Sequence, residues 1–169
     1  LDTVNTSFVN DYQGVEISLS KVMENDELFG IYGEDCYTSV SFGLFAAEDI
    51  AAADGTVIPA DGLISEVSLG ENMTAVIAET IPFGKYYVQE IATDEHYVLN
   101  GKKSLVNFEH MGQAVTTVTV DCGEFKNALK RGKISGKKVD ENEKSLENAL
   151  FGLFAVDTAE FTADNAYMT

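Results

Sequence analysis

Apolar residues recur at every second position in several short runs of this chain, and Gly, Asp and Asn punctuate the gaps. Val15, Ile17 and Leu19 alternate with Glu16, Ser18 and Ser20, and residues 86–91 and 115–120 are further β-rich runs. A period of two places residues of equal parity on one face of a strand. No long segment carries helical spacing. Residues 46–53 (Ala-Ala-Glu-Asp-Ile-Ala-Ala-Ala) predict one short helical turn. Asp54-Gly55 and Asp61-Gly62 are turn signals, and the acidic runs 24–27 and 140–143 are read as solvated hairpin turns. The pattern predicts an all-β domain.

The chain also repeats itself. Phe8 and Asn10 precede Ile17-Ser18 and Lys21-Val22, and Phe125 and Asn127 precede Ile134-Ser135 and Lys138-Val139, each pair 117 residues apart. Phe42-Gly43-Leu44-Phe45-Ala46 recurs as Phe151-Gly152-Leu153-Phe154-Ala155, 109 residues on. The first copy therefore carries eight extra residues, which fall in 29–40 and predict an inserted hairpin or loop. Three segments follow: 1–13 as the last strand of a preceding repeat, 14–131 as one complete repeat, and 132–169 as the opening of a following, truncated one. The joints at Gln13-Gly14 and Arg131-Gly132 are short, which restricts motion between repeats.

Three alternating rows each contain one polar residue. Val15, Ile17 and Leu19 lead to Lys21; Tyr86 and Val88 lead to Glu90; Phe125 and Leu129 flank Asn127. A polar residue in an apolar row either reaches water at a strand end or enters the core. In the core a Lys tends to lose its proton and a Glu to keep one. A neutral amine beside a carboxamide and a protonated carboxyl has the parts for amide exchange, with the carboxyl as proton shuttle.

Composition narrows the function classes. The net charge is −17 over 169 residues, which speaks against nucleic acid and against an anionic membrane surface. The longest apolar run, near 149–156, is far short of the roughly 20 residues of a membrane span. No signal peptide or wall-sorting signal is visible, so both ends look cut. Cys36 and Cys122 are too few for a disulfide framework but sufficient for one bridge, and they lack zinc-site spacing. Neither acidic run has the Gly and final Glu of a calcium loop. No motif calls for a metal or cofactor, and no phosphate loop or nucleophile elbow is present.

Residues 17–22 (Ile-Ser-Leu-Ser-Lys-Val), 42–46 (Phe-Gly-Leu-Phe-Ala), 82–91 (Pro-Phe-Gly-Lys-Tyr-Tyr-Val-Gln-Glu-Ile) and 125–127 (Phe-Lys-Asn) occur in the order found in collagen-adhesin B-type repeats. The chain resembles that family, which occurs in stalks and pilins of Gram-positive surface proteins. Residues 92–97 (Ala-Thr-Asp-Glu-His-Tyr) resemble the next segment, although the family often has Pro and Gly there. The resemblance implies an antiparallel Ig-like or prealbumin-like β-sandwich repeat. It implies that Lys21 and Asn127 form an isopeptide bond with Glu90 as the catalytic acid, and that Asn10 and Lys138 are the equivalents in neighbouring repeats. It implies a structural spacer of a cell-wall-anchored, extracellular adhesin or pilin-like protein, partnered by adjacent repeats, rather than a turnover enzyme. The alternative is an adhesin module that binds a host protein or glycan through its loops, with Phe29, Tyr32 and Tyr37 of the insertion as candidates.

Overall fold

The computed structural model describes residues 12–168. They divide into two compact units, the larger built from residues up to Glu27 and from Ile31–Lys130, the smaller from Leu28–Gly30 and the chain from Arg131 onward.

The larger unit is a β-sandwich. Its strands are β1 (Gly14–Met23), β2 (Ser41–Ala46), β3 (Ile50–Ala51), β4 (Val57–Ile58), β5 (Leu63–Ser68), β6 (Thr74–Glu79), β7 (Gly84–Ala92), β8 (Ser104–Phe108) and β9 (Thr117–Asn127). One sheet has the order β6-β1-β9, the other β5-β2-β7-β8, and β3 with β4 makes a small hairpin. Every pairing is antiparallel except one: β1 and β9 run parallel, from Gly14 opposite Thr117 to Met23 opposite Asn127. The first and last strands of the sandwich are therefore neighbours, and the chain enters at one pole and leaves at the other.

Alternation decides what each strand buries. Val15, Ile17 and Leu19 of β1 face Phe42, Leu44 and Ala46 of β2 and Tyr86 and Val88 of β7 in one contiguous core. Phe45, of opposite parity, lies outside it and stacks on Tyr87 with ring centroids 5.2 Å apart. Strand β9 departs from simple alternation. Val118, Val120 and Cys122 pack toward the core, and so do Phe125 and Asn127. Even and odd positions share one face because the register slips between Ser18 and Ser20, where β9 spends one residue more than β1. Gly123 stands in that bulge at φ 68, and its N–H donates to Asp121 Oδ1 at 2.8 Å. A bulge with glycine in the left-handed region adds one residue and reverses the parity that follows. Without it, Asn127 would point away from the core.

One local expectation is corrected and another is narrowed. Residues 46–53 form no helical turn: β2 ends at Ala46, and Ile50 and Ala51 pair with Ile58 and Val57. Flanking backbone bonds, Ala52 N–H to Thr56 O and Gly55 N–H to Ala52 O, close the hairpin that Asp54-Gly55 signals. The insertion takes the loop form of the two expected, a tight turn followed by a 3-10 helix, Gly33–Ser39, anchored where Asn25 Oδ1 accepts the Gly33 N–H at 2.8 Å.

The smaller unit contains two isolated bridges, Val139 with Ser145 and Leu153 with Met168, and a 3-10 turn at Ala163–Asn165. Asp140 Oδ1 accepts the N–H groups of Asn142 and Lys144, which makes residues 140–143 a hairpin turn. A Cβ placed on Gly152 would lie 2.5 Å from the Phe154 ring, and one on Gly43 would lie 2.6 Å from the Phe45 ring. Both Phe-Gly-Leu-Phe copies thus fold an aromatic ring over their glycine, so the repeated sequence carries a repeated local conformation.

Replacement of Gly123 by Val should cost on the order of 1–2 kcal/mol, because a β-branched residue is forced into the left-handed region. Urea unfolding of the two proteins measures it. An unchanged midpoint would mean that the bulge does not hold this conformation.

Candidate functional site

The polar exceptions of the three rows meet inside the sandwich. Lys21, Glu90 and Asn127 are at most 4% exposed. Lys21 sits opposite Phe125 across the β1–β9 pair, and Asn127 sits opposite Met23, so the two side chains are diagonal neighbours on one sheet. Glu90 comes from the other sheet, opposite Phe42. The strand-end reading is thereby excluded: all three side chains point into the core.

Lys21 Nζ donates to Glu90 Oε1 at 2.5 Å and to Asn127 Oδ1 at 2.6 Å. Asn127 Nδ2 donates to Glu90 Oε1 at 3.0 Å and to Glu90 Oε2 at 2.9 Å. The carboxylate also accepts the backbone N–H of Asn100 on Oε2 at 2.7 Å. Asn127 Nδ2 has a further acceptor in Thr93 Oγ1 at 2.9 Å. The amine therefore approaches the oxygen end of the amide, while the amide nitrogen faces the carboxylate.

Aromatic side chains wall the cluster. Phe42 and Phe125 meet edge to face with centroids 5.0 Å apart, and Lys21 Nζ lies 5.8 Å from the Phe42 ring centre. Burial lowers the Lys21 pKa below its ordinary value of 10.5, and the hydrogen bond and charge of Glu90 oppose that shift in part. Between the lowered value and 10.5 the unfolded chain holds a proton that the fold does not. The fold therefore gains stability as pH rises through that window, and it carries the full burial penalty below it.

Two members of the cluster escape a reading by alternation. Thr93 lies just past the end of β7, and Asn100 lies in the loop between β7 and β8. Neither belongs to an apolar row. Thr93 stands three residues after Glu90, within the segment 92–97 that resembles the family's, but alternation does not single it out. Asn100 Nδ2 also donates to Lys126 O, next to Asn127, and Asn100 Oδ1 accepts the Lys102 N–H. The same loop contains Tyr97, fully buried, whose hydroxyl donates to Glu24 O at the end of β1.

The remaining sequence candidates lie elsewhere. Lys138 is exposed in the smaller unit. Asn10 lies outside the described residues. Of the aromatic residues in the insertion, Phe29 and Tyr32 are half-exposed, whereas Tyr37 packs against the core. Cys36, on the 3-10 helix, and Cys122, buried on β9, are free thiols and do not form the bridge that the sequence left open. Among the described residues no group of His, Cys, Asp and Glu is arranged to hold a metal ion, and no helix is long and apolar enough to cross a membrane.

No family model matches the chain, and no curated protein does. Solved structures do. The minor pilin GBS52 of Streptococcus agalactiae aligns at 18% identity and TM-score 0.45 over 76% of this chain and 50% of its own. The TIE protein of Bacillus anthracis aligns at 12% and 0.43 over 79% and 24%. The major pilin SpaA of Corynebacterium diphtheriae aligns at 19% and 0.41 over 69% and 31%. The chain thus spans between a quarter and a half of the length of these structures.

The thiols give a direct check. Burial raises the Cys122 pKa, and burial followed by the nearby carboxylates of Asp94 and Asp35 raises that of Cys36. Two thiols should titrate in denaturant without reductant, Cys122 only after unfolding. A count of zero would establish the bridge.

Proposed function

We propose that the larger unit is a load-bearing spacer of a Gram-positive surface stalk or pilus-like fibre, and that it staples itself with a Lys21–Asn127 isopeptide bond. The observation that carries this reading is the buried cluster: a desolvated amine 2.6 Å from a carboxamide oxygen, with one carboxylate hydrogen-bonded to both. The order of the motifs along the chain agrees with it.

The chemistry balances on these groups alone. Glu90 takes a proton from the Lys21 ammonium. The neutral Nζ attacks the Asn127 side-chain carbon, which becomes tetrahedral. Glu90 passes its proton to Nδ2 and receives the surplus proton from Nζ. The carbon–Nδ2 bond breaks, ammonia leaves, and a secondary amide joins the two side chains. Glu90 thus serves as base and then as acid. The fold supplies proximity, which removes much of the entropic barrier. Each molecule reacts once, so this is self-modification and not turnover.

The topology gives the bond a mechanical role. Tension enters at Gly14 and leaves beyond Asn127, at opposite ends of the parallel β1–β9 pair. Such a load shears one strand along the other. With the bond in place, force passes along β1 to Lys21, crosses to Asn127 and leaves, and the residues between them carry none. The bond closes a loop with a sequence separation of 106 residues. By analogy with a disulfide it should stabilise by about 4–5 kcal/mol. A spacer of this kind would work outside the cell, anchored to the wall, with adjacent repeats as its partners.

Intact mass tests the reading. The folded protein should weigh roughly 17 Da less than its sequence. Glu90→Gln keeps the shape of the side chain but cannot accept the proton, and Lys21→Ala lacks the nucleophile, so both should retain the full mass. Because burial lowers the Lys21 pKa, the neutral amine should form at lower pH than for an ordinary lysine, and bond formation should slow as pH falls below that lowered value. Full mass in the folded wild type, or loss of ammonia from Glu90→Gln at the wild-type rate, sinks the proposal.

A further inference from the structure

Asn127 has two chemically different ends, and only one orientation of its amide is productive. Nδ2 must face the acid that will protonate it, and Lys21 must approach along the oxygen side. In the resting protonation state, charge selects this orientation: the ammonium prefers Oδ1 and the carboxylate prefers the N–H groups. The reactive state differs. Once the proton has moved from Lys21 to Glu90, the neutral amine can accept an N–H and the protonated carboxyl can donate to an oxygen. Neither partner then discriminates strongly between the two ends of the amide. A third partner is needed at the moment of attack, and it must not change its own charge when the proton moves.

Thr93 meets that requirement. Its Oγ1 lies 2.9 Å from Asn127 Nδ2 and accepts one N–H while Glu90 takes the other. It is half-buried just beyond β7, between the cluster and the surface. It makes no hydrogen bond to Lys21, and its hydroxyl stays neutral throughout. Resting on the cross-linking reading above, we infer that Thr93 is a positioning residue for that reaction: it holds the leaving nitrogen of Asn127 against Glu90 while the proton is in transit.

Cell-free synthesis of the full chain, with intact mass sampled over time, tests this. Wild type, Thr93→Val and Thr93→Ser are compared. Valine keeps the shape without the hydroxyl, and serine keeps the hydroxyl without the methyl. Thr93→Val should lose ammonia roughly tenfold more slowly, the cost of one hydrogen bond in the transition state. Thr93→Ser should recover most of the wild-type rate. The same three substitution states in a Lys21→Ala background, which cannot react, report stability alone, and there Thr93→Val should unfold at nearly the same urea concentration as Thr93. If the wild type reacts and Thr93→Val reacts equally fast, or if Thr93→Ser is as slow as Thr93→Val, the positioning role is wrong and the cross-link stands. If Thr93→Val slows the reaction only in proportion to a large stability loss in the Lys21→Ala background, the role is merely structural and the inference falls. If the wild type never loses ammonia, the cross-linking reading fails first.

Discussion

The constraint on which the structure turns is the burial of one amine between two sheets. An isolated ammonium in an apolar core costs many kcal/mol, so Lys21 requires partners, and those partners must be buried as well. Glu90 answers the charge and Asn127 fills the remaining direction, but each brings further polar atoms that need satisfying. The Asn100 backbone and the Thr93 hydroxyl complete the set. The result is a polar network inside a hydrophobic core, and such networks are costly when one of their fully buried members, Lys21, Glu90 or Asn127, is missing. Loss of one partner would strand the others, which explains why a loop as irregular as the β7–β8 connection is pinned by Tyr97 and by the two side-chain bonds of Asn100.

Two features of the backbone exist in the service of that geometry. The parallel pairing of β1 and β9 brings the first and last strands of the sandwich side by side, so that residues 106 positions apart share one face. Parallel neighbours cannot be joined by a tight turn, and here the whole remainder of the sandwich forms the crossover. The bulge at Gly123 then sets the phase. It lets Val118 and Val120 serve the core before the bulge, and Phe125 and Asn127 serve it afterwards. A glycine at a left-handed φ is thus coupled to the orientation of a carboxamide four residues later.

Much of this was legible in the sequence because strand parity is local. Lys21 inherits its orientation from Val15, Ile17 and Leu19, and Glu90 from Tyr86 and Val88, with no long-range information needed. Asn127 was read correctly only because the row Phe125, Asn127, Leu129 begins after the bulge. Had parity been counted from Val118 and Val120, it would have pointed outward. The register slip is not legible in the sequence, since Gly123 is an ordinary glycine until its partner strand is known. The parallel sense of β1 and β9 was also hidden, because alternation fixes faces and not neighbours. Residues 46–53 misled for a related reason. Their alanines favour a helix, but pairing of Ile50 with Ile58 in the folded chain outweighs that weak local preference. Thr93 and Asn100 lie outside regular strands, where no period exists to read.

Stability alone does not account for the cluster. A buried ion pair is often no better than apolar residues of the same volume, because desolvation offsets the attraction between the charges. A core of this size could hold Leu or Met in place of Lys21 without the network that the lysine demands. The arrangement becomes intelligible when the cluster is a reactant. Conversion of ammonium and carboxamide into a secondary amide removes the buried positive charge, and the ammonia released can escape to solvent. In the proposed cross-linking, the desolvation that makes this core expensive would be relieved by the reaction it promotes. In that account the same burial that destabilises Lys21 as an ion activates it as a nucleophile, and the escape of ammonia makes the step effectively one-way. Under the proposed reaction the cost would last only until the bond formed, and the sandwich would then retain an uncharged link between the two strands that tension would pull past each other.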